Sequence, residues 1–76
     1  MESYQIKLLD EYTKLYKNYS KLCYTLDLYE NNDLNFELSC PSALLRRQRK
    51  VMNEYLEVLE ERIELEGIKG EIEKWL

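Results

Sequence analysis

Residues 8–29 read LLDEYTKLYKNYSKLCYTLDLY. Within them Leu8, Tyr12, Leu15, Tyr19, Leu22, Leu26 and Tyr29 recur at spacings of 4, 3, 4, 3, 4 and 3. That alternation draws an apolar seam along an α-helix, the pattern of helices that pack nearly parallel or antiparallel. A second stripe, Leu9, Tyr16 and Cys23, runs beside it at intervals of seven. The reading predicts a first helix over residues 3–30, about 40 Å long at ~1.5 Å per residue.

Working outward, Asn31-Asn32-Asp33 ends that helix, since Asn tolerates the left-handed geometry that closes a helix. Leu34-Asn35-Phe36-Glu37-Leu38 alternates apolar and polar residues. The expectation is an extended link over residues 31–40 with Leu34, Phe36 and Leu38 turned inward. Ser39-Cys40-Pro41-Ser42 opens a second helix over residues 41–66, because Pro suits a first helical turn and Ser caps one. Its main apolar face is Leu45, Met52, Leu56, Leu59 and Ile63. Leu44, Val51, Val58 and Leu65 form another row at intervals of seven, and Gln48, Tyr55 and Arg62 repeat at the same interval. Polar residues in such a row often fix register. Gly67 is the expected stop. Ile68, Ile72, Trp75 and Leu76 give the tail, residues 67–76, one apolar edge.

The predicted fold class is all-α: an antiparallel helical hairpin in a single domain, residues 1–76, with a short C-terminal helix or arm. Each helix of a lone hairpin buries one stripe, and these helices carry two. A two-helix core is also marginal in so short a chain. Assembly into an oligomeric helical bundle is the expected way to bury the second stripes.

Composition narrows the function. The net charge is -4 and the pI near 4.8, which argues against binding long nucleic acid. No apolar run approaches the ~18 residues of a membrane span. Met1-Glu2-Ser3-Tyr4 lacks the basic and apolar regions of a signal peptide, so a cytoplasmic location is expected. Cys23 and Cys40 then read as reduced thiols. There is no His, the commonest general base and metal ligand, and two Cys alone do not make a zinc site. Gly67 and Gly70 follow no strand, so they form no phosphate loop. The expectation is a protein that is not an enzyme and takes no cofactor or metal.

The charges are arranged unusually. Arg46, Arg47, Arg49 and Lys50 crowd the start of the second helix, and eight glutamates from Glu54 to Glu73 follow. A helix dipole favours the reverse. One explanation is antiparallel pairing, with the basic cluster beside Asp27, Glu30, Asp33 and Glu37 and the acids beside Lys7, Lys14, Lys17 and Lys21. Lys7–Glu11 and Asp10–Lys14 read as pairs within the first helix. The four cations nevertheless fan over about half the helix circumference, too widely for one partner. Three are Arg, whose planar fork suits phosphate, and a helix start adds free N–H groups. The second explanation is therefore a small phosphorylated ligand. Six of the seven tyrosines lie on the first helix. Lys21 and Tyr24 share a face there, as a phosphate contact and a stacking ring would. A solvated stripe or an oligomer contact is the plainer explanation of that face. The candidate ligand-binding residues are Arg46, Arg47, Arg49, Lys50, Lys21, Tyr24 and Tyr55.

Leu44, Leu45, Gln48, Met52, Tyr55, Leu59 and Arg62 form the pattern Leu-Leu, Gln, Met-x-x-Tyr-x-x-x-Leu-x-x-Arg. With Leu8-Leu9, Leu15, Leu22, Leu26 and Cys40-Pro41, it resembles small helical-hairpin proteins of tailed phages of gut bacteria, including crAss-like phages. Their architecture is similar to phage sponge proteins that counter the CBASS and Thoeris defence systems. The resemblance implies an oligomer that sequesters a cyclic oligonucleotide or an ADP-ribose-type signal without cleaving it, in the cytoplasm of an infected bacterium. It assigns no binding residue to this chain. Two other readings are a protein-interaction module acting through the acidic helix and a small structural phage component.

Overall fold

The computed structural model describes residues 1–76. Helix α1 spans Ser3–Glu30 and α2 spans Ser42–Leu65, followed by a 3-10 turn at Lys69–Glu71 and a four-residue α3 at Ile72–Trp75. There is no strand. The rod measures 44 × 20 × 17 Å. Hydrogen bonds from Gln5 to Glu66, Tyr12 to Glu60 and Arg46 to Glu30 run α1 against α2 in antiparallel order.

Local chemistry sets the ends of both helices. The Glu2 N–H donates to Gln5 Oε1 at 2.9 Å, which satisfies one of the donors a helix start leaves free. Both long helices then finish by the same device. Asn32 takes φ 59° and Gly67 takes φ 72°. The N–H groups of Asp33 and Ile68 reach back to the carbonyls of Leu28 and Ile63, at 2.8 and 3.3 Å. This is the left-handed closure for which Asn and Gly are suited. Pro41 stands just before α2 and caps it rather than forming its first residue.

The core gathers at the end of the rod where α1 begins and α2 finishes. Leu8, Leu9 and Tyr12 pack with Leu56, Leu59, Ile63 and Ile68, and Leu15, Tyr19, Ile72 and Trp75 lie against that cluster. Leu9 belongs to the second stripe of α1 yet is fully buried, because the tail folds back onto α1. Leu26 is fully buried towards the other end.

Four expectations are corrected here. Phe36 is 59% exposed. The link bends at residues 35–36 and 39–40 instead of running straight, so Leu34 and Leu38 are half-buried while Phe36 turns out. Tyr29 is exposed. A seam on a 3.5-residue period drifts about 20° per heptad on a straight helix, and Tyr29 lies three heptads beyond Leu8. The ladder of lysines on α1 against acids on α2 does not form. Arg46–Glu30, at 3.4 Å, is the sole ion pair between the helices. At about 100° per residue, Lys7, Lys14 and Lys21 project from the flank opposite the one that carries Glu57, Glu60 and Glu64. Within α1, Lys14 pairs with Asp10 at 2.8 Å and Lys7 makes no such pair.

Candidate functional site

The fold separates the four cations at the start of α2. Arg46 points to the link. Its Nε donates to Glu30 Oε1 and its Nη1 to the Ser42 hydroxyl, each at 3.4 Å. It lines an open cavity of about 760 Å³ together with Tyr29, Glu30, Phe36 and Glu37. Two carboxylates and one guanidinium face that cavity, so its local charge does not favour phosphate.

Arg49 is half-buried and lies against α1. The Tyr19 phenol is raised above its ordinary value, first by a hydrogen bond to the Cys23 thiol and then by burial, while the Arg49 guanidinium draws it down. Lys50 is exposed. Neither Arg49 nor Lys50 forms an ion pair or a side-chain hydrogen bond. Arg46, Arg49 and Lys50 sit at i, i+3 and i+4, which places them on one face of α2.

Arg47 neighbours Lys50 by the same rule, at i and i+3, but turns towards another flank. With Leu44, Gln48, Val51 and Met52 it lines a shallow concavity of about 390 Å³ on another flank of α2. Tyr55 continues that flank and is 43% exposed.

The two α1 candidates diverge as well. Lys21 lines a groove of about 460 Å³ with Leu22, Thr25, Leu38 and Leu45. Tyr24 is 67% exposed and makes no side-chain hydrogen bond. The seven predicted residues therefore do not converge within one chain. They fall into an α2 face with Arg46, Arg49 and Lys50, a flank with Arg47 and Tyr55, a groove wall with Lys21, and Tyr24 outside all of these.

Of the residues that hold Arg46, Glu30 was among the acids expected beside the basic cluster, whereas Ser42 was read only as part of a helix start. Glu60 accepts from the Tyr12 hydroxyl at 2.7 Å. Burial, and then that bond, push the Tyr12 phenol up to about 12. The signal available for Glu60 was its place about one and a half turns from the end of α2, opposite a seam tyrosine, and it reads no differently from its neighbouring acids.

No group of three or more His, Cys, Asp or Glu side chains is placed to hold a metal ion. No helix is long and apolar enough to cross a membrane. The sequence model of the Sequestin family matches residues 2–65. The chain belongs to the Sequestin family. The match takes in α1, the link and α2 of this Sequestin and stops before the tail. The basic residues at the start of α2 and the exposed flank of that helix thus lie inside the family's own region. No curated protein and no solved structure matches the chain.

Proposed function

We propose that this Sequestin binds and sequesters a small nucleotide-derived immune signal, a cyclic oligonucleotide or an ADP-ribose-type compound, without cleaving it. It acts as a phage anti-defence protein in the cytoplasm of the infected bacterium, as a homo-oligomer. The carrying observation is that Arg49 and Lys50 have no carboxylate partner in a chain whose net charge is -4. Acids abundant enough to neutralise them are present and project elsewhere. Unpaired guanidinium and ammonium groups beside a helix start suit phosphate oxygens. The family name speaks for sequestration. The lack of His and of a metal-binding group accords with binding without turnover.

Arg46 contributes less in this reading, because Glu30 already holds it. Arg49 and Lys50 grip phosphate on one face, and Tyr24, Tyr55 and Lys21 enter the site only where neighbouring copies bring them near. Isothermal titration against a panel of cyclic di- and trinucleotides and cyclic ADP-ribose isomers tests the proposal. Micromolar or tighter binding of one member is expected, with recovery of the ligand intact, and loss of that binding in the Arg49→Glu/Lys50→Glu variant. No binding across the panel overturns it. A stoichiometric host protein on the acidic face of α2 would point to the interaction module instead.

A further inference from the structure

Helix α2 carries a second complete seam that its own hairpin leaves uncovered. Leu44, Val51, Val58 and Leu65 alternate with Gln48, Tyr55 and Arg62, so the row repeats at spacings of 4, 3, 4, 3, 4 and 3. That is the same period as the seam by which α1 meets α2. Every one of its residues is exposed, with Val51 at 56%, Val58 at 51% and Leu65 at 88%. Gln48 and Arg62 make no side-chain hydrogen bond and no ion pair within the chain. A row of this period on one helix is built to receive another helix.

We propose that a second copy of this chain packs on the seam, α2 against α2, antiparallel about a two-fold axis between Val51 and Tyr55. Charge selects both the occupant and the direction. Four of the five cations of α2 lie in its first half, Arg62 being the exception, and its acids lie in the second. Antiparallel pairing lays each basic half along the acidic half of the other copy. In the register that layers Val51 on Tyr55 and Leu44 on Arg62, the flanking Arg47 falls beside Glu61 of the second copy, twice by symmetry. Parallel pairing would instead set Arg62 against Arg62 and the basic halves side by side. Like charges so placed are destabilising.

The same register completes a site. Arg62 of one copy reaches over the concavity that Leu44, Arg47 and Gln48 line on the other. Each of the two equivalent polar pockets then holds residues from both chains and does not exist in one chain alone. The oligomer of the function proposed above rests on this contact, but the contact itself needs no ligand. Its repulsive elements are Glu54, which meets its own copy near the axis, and Arg62, which comes over the Arg47 of the other copy.

Sedimentation equilibrium on the ligand-free full chain tests the interface. A dimer or a multiple of it is expected at micromolar concentration. Arg47→Glu weakens self-association about tenfold, since two exposed pairs become two repulsions. Combining it with Glu61→Arg restores the association, and Glu54→Gln tightens it. Cross-linking reads the direction. In chains whose Cys23 and Cys40 are replaced by Ala and whose helical circular dichroism is kept, a mixture of Leu44→Cys and Arg62→Cys chains forms disulfide heterodimers on oxidation. A monomer at tens of micromolar overturns the proposal. So does cross-linking between like positions alone, or an Arg47→Glu variant that associates as the parent does. Because no ligand is present, failure of the nucleotide panel leaves this result standing, whereas a monomer removes the homo-oligomer from the proposed function and leaves the titration to be read by itself.

Discussion

Replacing Tyr12 by Phe tests the contact that clamps the two helices. The ring is 5% exposed and its hydroxyl donates to Glu60 Oε1 at 2.7 Å. Phe keeps the ring and deletes the bond. A hydrogen bond to a charged acceptor contributes about 1.5–3 kcal/mol. Glu60 is exposed and regains water when the bond is lost, so the net cost at pH 7 is nearer ~1 kcal/mol. For a chain of this size that lowers Tm by about 4–8 °C.

The same side chain makes an alkaline prediction. Burial, then the bond to Glu60, push the folded-state phenol from 10.0 to about 12. A group whose folded value is raised stabilises the protein fully below its unfolded value and loses that contribution as pH climbs through the folded value. Two units correspond to about 2.7 kcal/mol, as an upper figure, lost between roughly pH 10 and 12. The Phe variant has no phenol to ionise there and lacks this share of the loss. It starts about 1 kcal/mol less stable, so the two stability curves cross near pH 10.5–11 by the same linkage. Urea denaturation followed by far-ultraviolet circular dichroism, at fixed protein concentration from pH 7 to 11.5, measures the difference. Parallel curves for the two proteins would refute the reasoning, because the other tyrosines and the lysines titrate equally in both.

Further perturbations separate core, backbone and surface contributions. Leu59→Ala removes a side chain with no solvent exposure and should cost about 2–5 kcal/mol in denaturant unfolding. Gly67→Ala meets no atom within 4 Å but must hold φ 72°, so a cost of about 1 kcal/mol arises from the backbone alone. Arg46→Ala should change unfolding free energy by less than ~1 kcal/mol, since both partners of the Glu30 pair are over 40% exposed and surface pairs contribute little. Ile68→Ala should cost at least ~2 kcal/mol, because Ile68 belongs to the core cluster although it lies beyond α2.

The all-α hairpin was legible because its code is local. A 4-3 seam, an Asn-rich stop, a Pro-Ser start and a closing Gly each act through neighbouring residues, and all of them agree. The site was less legible for a geometric reason. Arg46, Arg47, Arg49 and Lys50 are adjacent in sequence, but a helix turns adjacent residues away from one another. Which carboxylate each one meets depends on which flank of α1 faces it. Lys7, Lys14 and Lys21 show the same limit: their spacing is correct for cross-helix pairs, and the packing angle puts the acids on the other side.

By itself the sequence determined two long helices, their stops, the charge reversal along α2 and a chain without His. The tertiary structure decided the rest. It folded the tail over Leu9, turned Phe36 outward, gave Arg46 to Glu30, and left Arg47, Arg49 and Lys50 unpaired. It also showed which of the two seams on α2 remains open. Periodicity reports that a helix has two apolar faces, and only the position of α1 selects the one that is buried, because that choice depends on contacts between residues far apart in the chain.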